Sequence, residues 1–195
     1  MRKSLGLRLV VLVVLVISIS YAALGLYLSY TLKQDAQSSQ ENELLQSAQK
    51  VAEQLGPNFR NADQKEAVNG SIQSMAQVTG YRITIVNTDG TVLFDSEEDP
   101  QTMENHITRP EIAHALSGLP SIELRYSRTL QQQLMYAAVP VKSGLEILAV
   151  ARTAYPVDLI ENEMAVLNRT MLNAFLAAAL VTILLTAFFA FEVIK

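Results

Sequence analysis

The chain contains no cysteine, so a disulfide framework, a thiolate metal ligand and a thiol nucleophile are all excluded. Positive charge is also scarce between residues 31 and 170, where 11 Lys/Arg stand against 18 Asp/Glu, a net charge of −7. This acidic balance argues against nucleic acid or anionic lipid as the partner of that segment. The apolar residues are unevenly distributed, which together with these absences excludes a cytosolic enzyme and a small disulfide-stapled secreted domain.

Two long runs lack any charged residue, one of twenty residues near the N-terminus and one of twenty-one near the C-terminus. About twenty apolar residues in a helix cross the ~30 Å hydrocarbon layer. Both runs are therefore predicted to be transmembrane helices in contact with membrane lipid. A cleaved signal peptide is the alternative for the first run, but its apolar core is longer than the roughly 7–15 residues typical of such signals. The predicted order is an N-terminal segment at 1–8, a transmembrane helix at 9–30, a domain at 31–170, a second transmembrane helix at 171–191 and an end segment at 192–195.

The charges that flank the first run predict its orientation. Arg2, Lys3 and Arg8 precede it, whereas only Lys33 follows closely. Because positive residues are retained on the cytoplasmic side, we expect both termini in the cytoplasm and the central domain outside it.

Helical periodicity marks the two ends of the central domain. Apolar residues at spacings of three and four predict one stripe on a helix that ends at Gly56-Pro57 and a second stripe that leads into the second membrane run. The first stripe is Leu44, Ala48, Val51 and Leu55, and the second is Val157, Ile160, Met164 and Leu167. Since no Gly or Pro interrupts residues 157–191, we expect one continuous rod about 50 Å long there. Either stripe could pack on its own domain or form a dimer or signalling contact.

Between these helices the apolar period changes from 3.6 to 2. Alternation predicts five strands, separated by turn residues such as Asn87 and Gly90. Further helices are predicted at 62–78 and 110–116. The predicted strands lie at 81–85, 91–95, 122–127, 133–139 and 145–152. This pattern favours an α+β domain with an antiparallel sheet.

Three segments carry a family resemblance: Tyr81-Arg-Ile-Thr-Ile-Val, Asp89-Gly-Thr-Val-Leu-Phe-Asp-Ser and Met103-Glu-Asn-His-Ile-Thr-Arg-Pro-Glu-Ile. With Ala151-Arg-Thr-Ala-Tyr-Pro before a membrane helix, the chain resembles the extracytoplasmic input region of PhoR-type bacterial sensor histidine kinases. The resemblance implies a PAS-like or Cache-like five-stranded sheet with long flanking helices, in a homodimer held in the bacterial cell membrane.

The same resemblance implies a cytoplasmic kinase core that phosphorylates a response regulator. A phosphoacceptor motif would be a His followed by Glu and a basic-Thr-Pro pattern, and these 195 residues do not contain one. They do not contain a Gly-rich nucleotide box either. We therefore expect the chain to be the signal-input half of a histidine kinase, without enzymatic activity of its own and with an unknown extracytoplasmic stimulus. A docking receptor for an envelope protein and a chemoreceptor input domain are the alternatives.

Arginines supply the candidate ligand site, since guanidinium groups bind carboxylate or phosphate through paired hydrogen bonds. The set is Arg82, Arg109, Arg125, Arg128 and Tyr126. However, Arg82 and Arg125 alternate with apolar residues along their strands. If only the apolar side of the sheet is covered, they are simply exposed, and the alternation rule favours that interpretation.

An acidic run supplies the candidate metal site. Asp95, Glu97, Glu98 and Asp99, with Glu104 nearby, offer the oxygen ligands that Ca²⁺ or Mg²⁺ prefers. The spacing does not match an EF-hand, and a solvated acidic loop is the favoured interpretation. No hydrolase motif occurs in the sequence, so we assign no catalytic residue and expect no cofactor.

Overall fold

The computed structural model describes residues 2–57, 59, 65–127 and 131–194, and describes the backbone alone for 2–7, 9–10, 65, 67–68, 159–163, 190 and 192–194. The chain divides into two compact units: Met1–Ala36 with Ile160–Lys195, and Gln37–Leu159. The first unit contains the two apolar runs, and the second is the α+β domain.

Four α-helices and five strands make up the described chain. The helices are α1 (Arg2–Leu55), α2 (Lys65–Thr79), α3 (Pro110–Leu116) and α4 (Val157–Ile194), with a short 3-10 turn at Pro100–Thr102. The strands are β1 (Arg82–Asn87), β2 (Val92–Asp95), β3 (Ser121–Ser127), β4 (Gln132–Ser143) and β5 (Glu146–Pro156). They form one antiparallel sheet in the order β2-β1-β5-β4-β3. The predicted fold class, an antiparallel five-stranded α+β domain with long flanking helices, is confirmed.

Several boundaries differ from the prediction. β4 continues past Pro140, and β5 extends to Pro156, where α4 begins at the next residue. The second helix begins at Lys65 in the described chain, and the predicted residues 62–64 lie outside the described residues.

One side of the sheet, here called the helix face, carries the apolar core. The α1 stripe and the α2 residues Ile72 and Ala76 pack on Ile83 and Ile85 of β1 and on apolar residues of β4 and β5. Leu44, Ala48 and Val51 have no exposed surface, and Leu55 is 5% exposed. The α1 stripe therefore packs on its own sheet.

The opposite side of the sheet, here called the cavity face, is also covered. At one end, Ile112 and Ala115 of α3 pack on Val86, Ala138 and Val150. Alternate residues of a strand point to opposite faces, so the neighbours of the apolar core residues point to this second side. Those neighbours include Arg82 and Arg152, both buried.

The turn between β1 and β2 holds the loop that follows β2. Gly90 has a φ of +86°, which favours glycine, and its carbonyl accepts a hydrogen bond of 2.8 Å from the His106 amide. A Cβ at position 90 would lie 2.6 Å from the Ile107 amide nitrogen. The close approach fixes the start of the segment 105–109 against the sheet.

Two helices are long and apolar enough to cross a membrane, with candidate spans within Val11–Leu55 and Met164–Phe189. They contact each other there: the Phe175 ring lies against Gly25, and Ser29 donates a 2.8 Å hydrogen bond to Asn168. A Cβ at position 25 would lie 2.9 Å from that ring. A larger residue at position 25 would therefore require the Phe175 ring to shift.

Truncating a core residue of the helix face should destabilise the domain. Ile83→Ala removes a side chain with no exposed surface and leaves a cavity, so we expect a loss of about 2–5 kcal/mol in the free energy of unfolding. Urea unfolding of the full chain in detergent, followed by circular dichroism, measures this loss. The control is Leu145→Ala, whose side chain is fully exposed and whose loss should stay within about 0.5 kcal/mol. Equal effects of the two variants would contradict the described core.

Candidate functional site

A cavity of about 320 Å³ opens on the cavity face of the sheet, under the loop between β2 and α3. Four arginines line it: Arg82 from β1, Arg125 from β3, Arg152 from β5 and Arg109 from the residue before α3. The remaining lining is mostly polar, and includes His106, Ser127, Tyr136, Glu98 and Glu104. A concave, polar site of this kind suits a small charged ligand.

Strand register brings the β-strand arginines together. Arg82 lies opposite Ala154, and Arg152 lies opposite Thr84, so both arginines point to the cavity face. Arg125 reaches the same face from the edge strand β3, which pairs with β4. Tyr136 of β4 lies between β3 and β5, and the guanidinium carbons of Arg125 and Arg152 lie 4.5 and 4.9 Å from the centre of its ring.

Asp95 holds the first arginine. The Nε of Arg82 donates to Asp95 Oδ1 at 3.0 Å, and the Thr84 hydroxyl donates to Oδ2 at 2.7 Å. The amides of Glu97 and Glu98 also donate to Asp95 Oδ1. This carboxylate is therefore buried and fully used within the domain, rather than available to an ion.

Glu111 of α3 holds two more arginines on one oxygen. Its Oε1 accepts hydrogen bonds from Arg125 Nη2 at 3.1 Å and from Arg152 Nη1 at 3.3 Å, and the side chain has no exposed surface. Arg152 Nη2 also donates to Thr84 Oγ1 at 3.0 Å. Since Thr84 donates in turn to Asp95, a continuous polar network crosses the sheet from β2 to β3.

Donors remain spare in this network. The Nε atoms of Arg125 and Arg152 are buried and have no hydrogen-bond partner among the described residues. No carboxylate of the described chain lies within 4 Å of the Arg109 guanidinium, whereas Arg125 and Arg152 share Glu111. Burial lowers the pKa of Arg152, and the charge of Glu111 opposes that effect. Four arginines thus line the cavity beside the buried carboxylates of Asp95 and Glu111, with Glu98 and Glu104 also in the lining, and Glu111 Oε2 is likewise buried without a partner among the described residues.

His106 adds a titratable group to the cavity wall. Its amide is held by Gly90 and its carbonyl accepts from the Arg109 amide at 3.0 Å, so the loop conformation places it firmly. The residue is 4% exposed, and its Nδ1 is buried with no partner among the described residues. Burial, and then the charges of Arg152 and Arg109, lower the pKa of the imidazole from 6.5 to about 4.

Three of the predicted ligand-binding residues meet at this cavity: Arg82, Arg109 and Arg125. Arg128 lies outside the described residues. Tyr126 does not line the cavity, because it alternates with Arg125 and points to the other side of β3, where it is 54% exposed. The favoured interpretation of Arg82 as an exposed residue is wrong, since α3 and the loop before it cover the second face and leave Arg82 only 6% exposed.

Four residues of this site were missed at the sequence level: Glu111, His106, Tyr136 and Arg152. Arg152 had a usable signal, because it directly follows the apolar residues 147–151 of a strand that is buried on both faces. Glu111 had none, since an acidic residue in the first turn of a short helix is ordinary at a surface.

The predicted metal ligands are not brought together. No group of three or more His, Asp or Glu side chains within the described part of the chain could hold a metal ion. Asp95 points to Arg82, and the Asp99 side chain caps the 3-10 turn by accepting from the Gln101 amide. Glu97 lies beside Arg82 at 3.7 Å, where burial raises the pKa of its carboxyl and the arginine opposes that effect.

The stripe on α4 has a different environment from the stripe on α1. Val157 and Met164 are partly exposed, Leu167 is 46% exposed, and the side chain of Ile160 lies outside the described residues. These positions remain a predicted dimer or signalling surface.

A five-stranded antiparallel domain with a polar ligand-sized cavity, carried between two candidate membrane helices, defines an extracytoplasmic-type sensor domain. The sequence profile of the CusS sensor domain matches residues 1–118, more than half of the chain. The chain belongs to the CusS sensor domain family; the match is to that family and not specifically to PhoR-type kinases. No curated protein matches the chain at a significant level.

Solved structures share this fold at low sequence identity. The sensor domain of the V. cholerae histidine kinase DctB is 18% identical, with a TM-score of 0.58 over 73% of this chain and 60% of that one. The E. coli DcuS sensor domain is 14% identical, with a TM-score of 0.50 over 64% of this chain and 97% of that one. The ligand-binding domain of the Pseudomonas fluorescens chemoreceptor CtaA, in complex with L-serine, is 15% identical, with a TM-score of 0.57 over 72% and 63%. The chain therefore spans less than two thirds of the DctB and CtaA chains.

Acid should destabilise the domain through His106. Below pH 6.5 the unfolded imidazole takes up a proton, whereas the folded one does so only near pH 4, so stability is lost as the pH falls between these values. Between pH 7 and pH 4.5 we expect a loss on the order of 2 kcal/mol from this group. Urea unfolding of the full chain at several pH values measures it.

The matched variants for that experiment are His106→Asn and His114→Asn, which replace the two histidines of the chain. His106→Asn should flatten the acid slope, because the penalised imidazole is gone. His114→Asn should keep it, since the His114 side chain is 60% exposed. An unchanged slope in His106→Asn would contradict the described burial of this imidazole.

Proposed function

We propose that the chain is the signal-input region of a membrane-bound two-component histidine kinase, and that its cavity binds a small anion bearing a carboxylate or phosphate group. The observation that carries the proposal is the cluster of four arginines around one cavity. Membership of the CusS sensor domain family supports the input role. The proposal includes a cytoplasmic kinase core that phosphorylates a response regulator. It also includes the more specific assignment to the PhoR-type kinases.

The arginines of the cavity favour an anion as the ligand. Arg82 is neutralised by Asp95, and the pair Arg125 and Arg152 is half neutralised by Glu111. Arg109 adds a further positive charge, while Glu98 and Glu104 also line the cavity. A buried guanidinium that lacks a counter-ion gains most from a bound carboxylate or phosphate, because such hydrogen bonds are charge-assisted on both sides.

A signal can leave the domain through α4. β5 carries Arg152 to the cavity and passes at Pro156 into α4, which continues as an uninterrupted helix through the second candidate span. Ligand binding can shift the output only through a difference in affinity between two states, for which a coupling of about 1–3 kcal/mol is usual. We place the homodimer contact on the α4 stripe of Val157, Ile160, Met164 and Leu167.

Arg109 offers a clean test of anion binding, because its removal strands no buried carboxylate. Isothermal titration of the full chain in nanodiscs with sulfate, phosphate and succinate should detect binding of at least one anion. Arg109→Ala should weaken that binding about tenfold or more, the usual scale for a hydrogen bond between charged groups. Lys50→Ala, an exposed cation on α1, is the control and should bind as wild type does.

The alternative function is a docking receptor for an envelope protein, and it is favoured if the titration detects no anion binding. Absence of binding with every anion, together with capture of a defined envelope protein by the wild-type chain, would replace the small-molecule proposal. A chemoreceptor input is favoured by the likeness to the CtaA ligand-binding domain. The coding sequence downstream of residue 195 distinguishes it, since a kinase core and a chemoreceptor signalling domain differ in their motifs.

The orientation of the chain is also part of the proposal: both termini cytoplasmic and the domain outside the bacterial cell membrane. Because the chain has no cysteine, single-cysteine variants give labelling without background. A membrane-impermeant maleimide should label Gln101→Cys in intact cells, and should label Ser4→Cys only after lysis. Labelling of Ser4→Cys alone in intact cells would reverse the orientation and remove the basis for an extracytoplasmic stimulus.

A further inference from the structure

His106 is a buried, titratable residue in the cavity wall, and the proposed anion site does not depend on its charge. His106 lines the cavity with its Nδ1 buried and unpartnered among the described residues, and it lies among positive charges. A neutral imidazole has one acceptor nitrogen and one donor, whereas a protonated imidazole has two donors. An anion in the cavity would therefore be bound better by the protonated form.

We propose that anion binding and protonation of His106 are coupled, so that the cavity binds its ligand more tightly in acid and takes up a proton as it binds. This inference rests on the proposed anion site. The domain would then report an anion and external acidity together, rather than either alone.

The charges around His106 set the direction of the coupling. The groups that share its cavity are Arg82 on β1, Arg125 on β3, Tyr136 on β4, Arg152 on β5, Arg109 before α3, and Glu98 and Glu104 on its own loop. Burial lowers the pKa of the imidazole most, and the charges of Arg152 and Arg109 lower it further, whereas a hydrogen bond with the Glu104 backbone and the charge of Glu111 oppose these effects. In the empty cavity the imidazole is therefore neutral at ordinary pH.

A bound anion offsets the arginine charges beside the imidazole and so raises its pKa, while burial still opposes the charged form. Linkage requires that if the anion favours protonation of His106, protonation favours the anion by the same factor. A full return of the imidazole to its ordinary behaviour near pH 6.5 sets the upper limit, an affinity about tenfold higher at pH 5.5 than at pH 7.5.

Sulfate is the probe for this coupling, since it does not change charge between these two pH values. Titration of the full chain in nanodiscs at pH 5.5 and 7.5, at constant ionic strength, should give a lower dissociation constant in acid, by at most about tenfold. Repeating the pH 5.5 titration in two buffers of different ionisation enthalpy should reveal net proton uptake. In His106→Asn both effects should be lost.

The carboxyl groups near the cavity need a separate control, because they also lose charge in acid. Glu97→Gln and Glu104→Gln should keep the wild-type pH dependence if His106 is responsible. Retention of the full pH dependence in His106→Asn, together with its loss in either glutamate variant, would overturn the proposal.

Direct observation of the imidazole supplies a readout that does not depend on a variant. The chain has only two histidines, so ¹⁵N-histidine labelling of the full chain gives two imidazole signals. Saturating sulfate should move the titration of His106 toward neutral pH. An unmoved His106 titration with sulfate bound would overturn the coupling and leave the anion site standing. No heat with sulfate at either pH would also overturn it, and the succinate and phosphate arms of the earlier titration then decide the anion site separately.

Discussion

A single buried carboxylate organises the polar side of this domain. Glu111 has no exposed surface, and one of its oxygens accepts hydrogen bonds from two arginines on different strands. Removing such a carboxylate from water is costly, and so is burying the two guanidinium groups. Each burial is tolerable only because of the other, so α3, β3 and β5 must be in place together for any of the three charges to be accommodated.

This mutual dependence also makes the cavity a pre-organised site. Arg152 is held by Glu111 and Thr84, and Arg125 by Glu111 and the ring of Tyr136, before any ligand arrives. Side chains that are already fixed lose little conformational entropy on binding. Arg109, which forms no ion pair with the described residues, then offers the cavity a charge that the folded domain does not use internally. Stability and recognition therefore depend on the same cluster of arginines.

The fold was more predictable than the site, because the fold follows from local patterns whereas the site depends on contacts between segments far apart in sequence. Alternation around Ile83 and Ile85 and the stripe from Leu44 to Leu55 are local patterns, and they predicted the strands and the helix that packs on them. The burial of Arg82 depends on α3 and on residues 96–109 folding over the second face of the sheet, a contact between segments far apart in sequence. Glu111 and His106 acquire their roles only from that contact. Arg152 is the exception, because a charged residue directly after a run of apolar residues is a local signal of burial.

The direct succession of β5 and α4 has a consequence for engineering the protein. Pro156 ends the strand and Val157 begins the helix, so no linker absorbs a change in length. One inserted residue turns every later side chain of a helix by about 100°. A chimaera that grafts this domain onto another output module would have to preserve the junction residue by residue, and a periodic rise and fall of output over successive single-residue insertions would reveal the angular phase that the native junction sets.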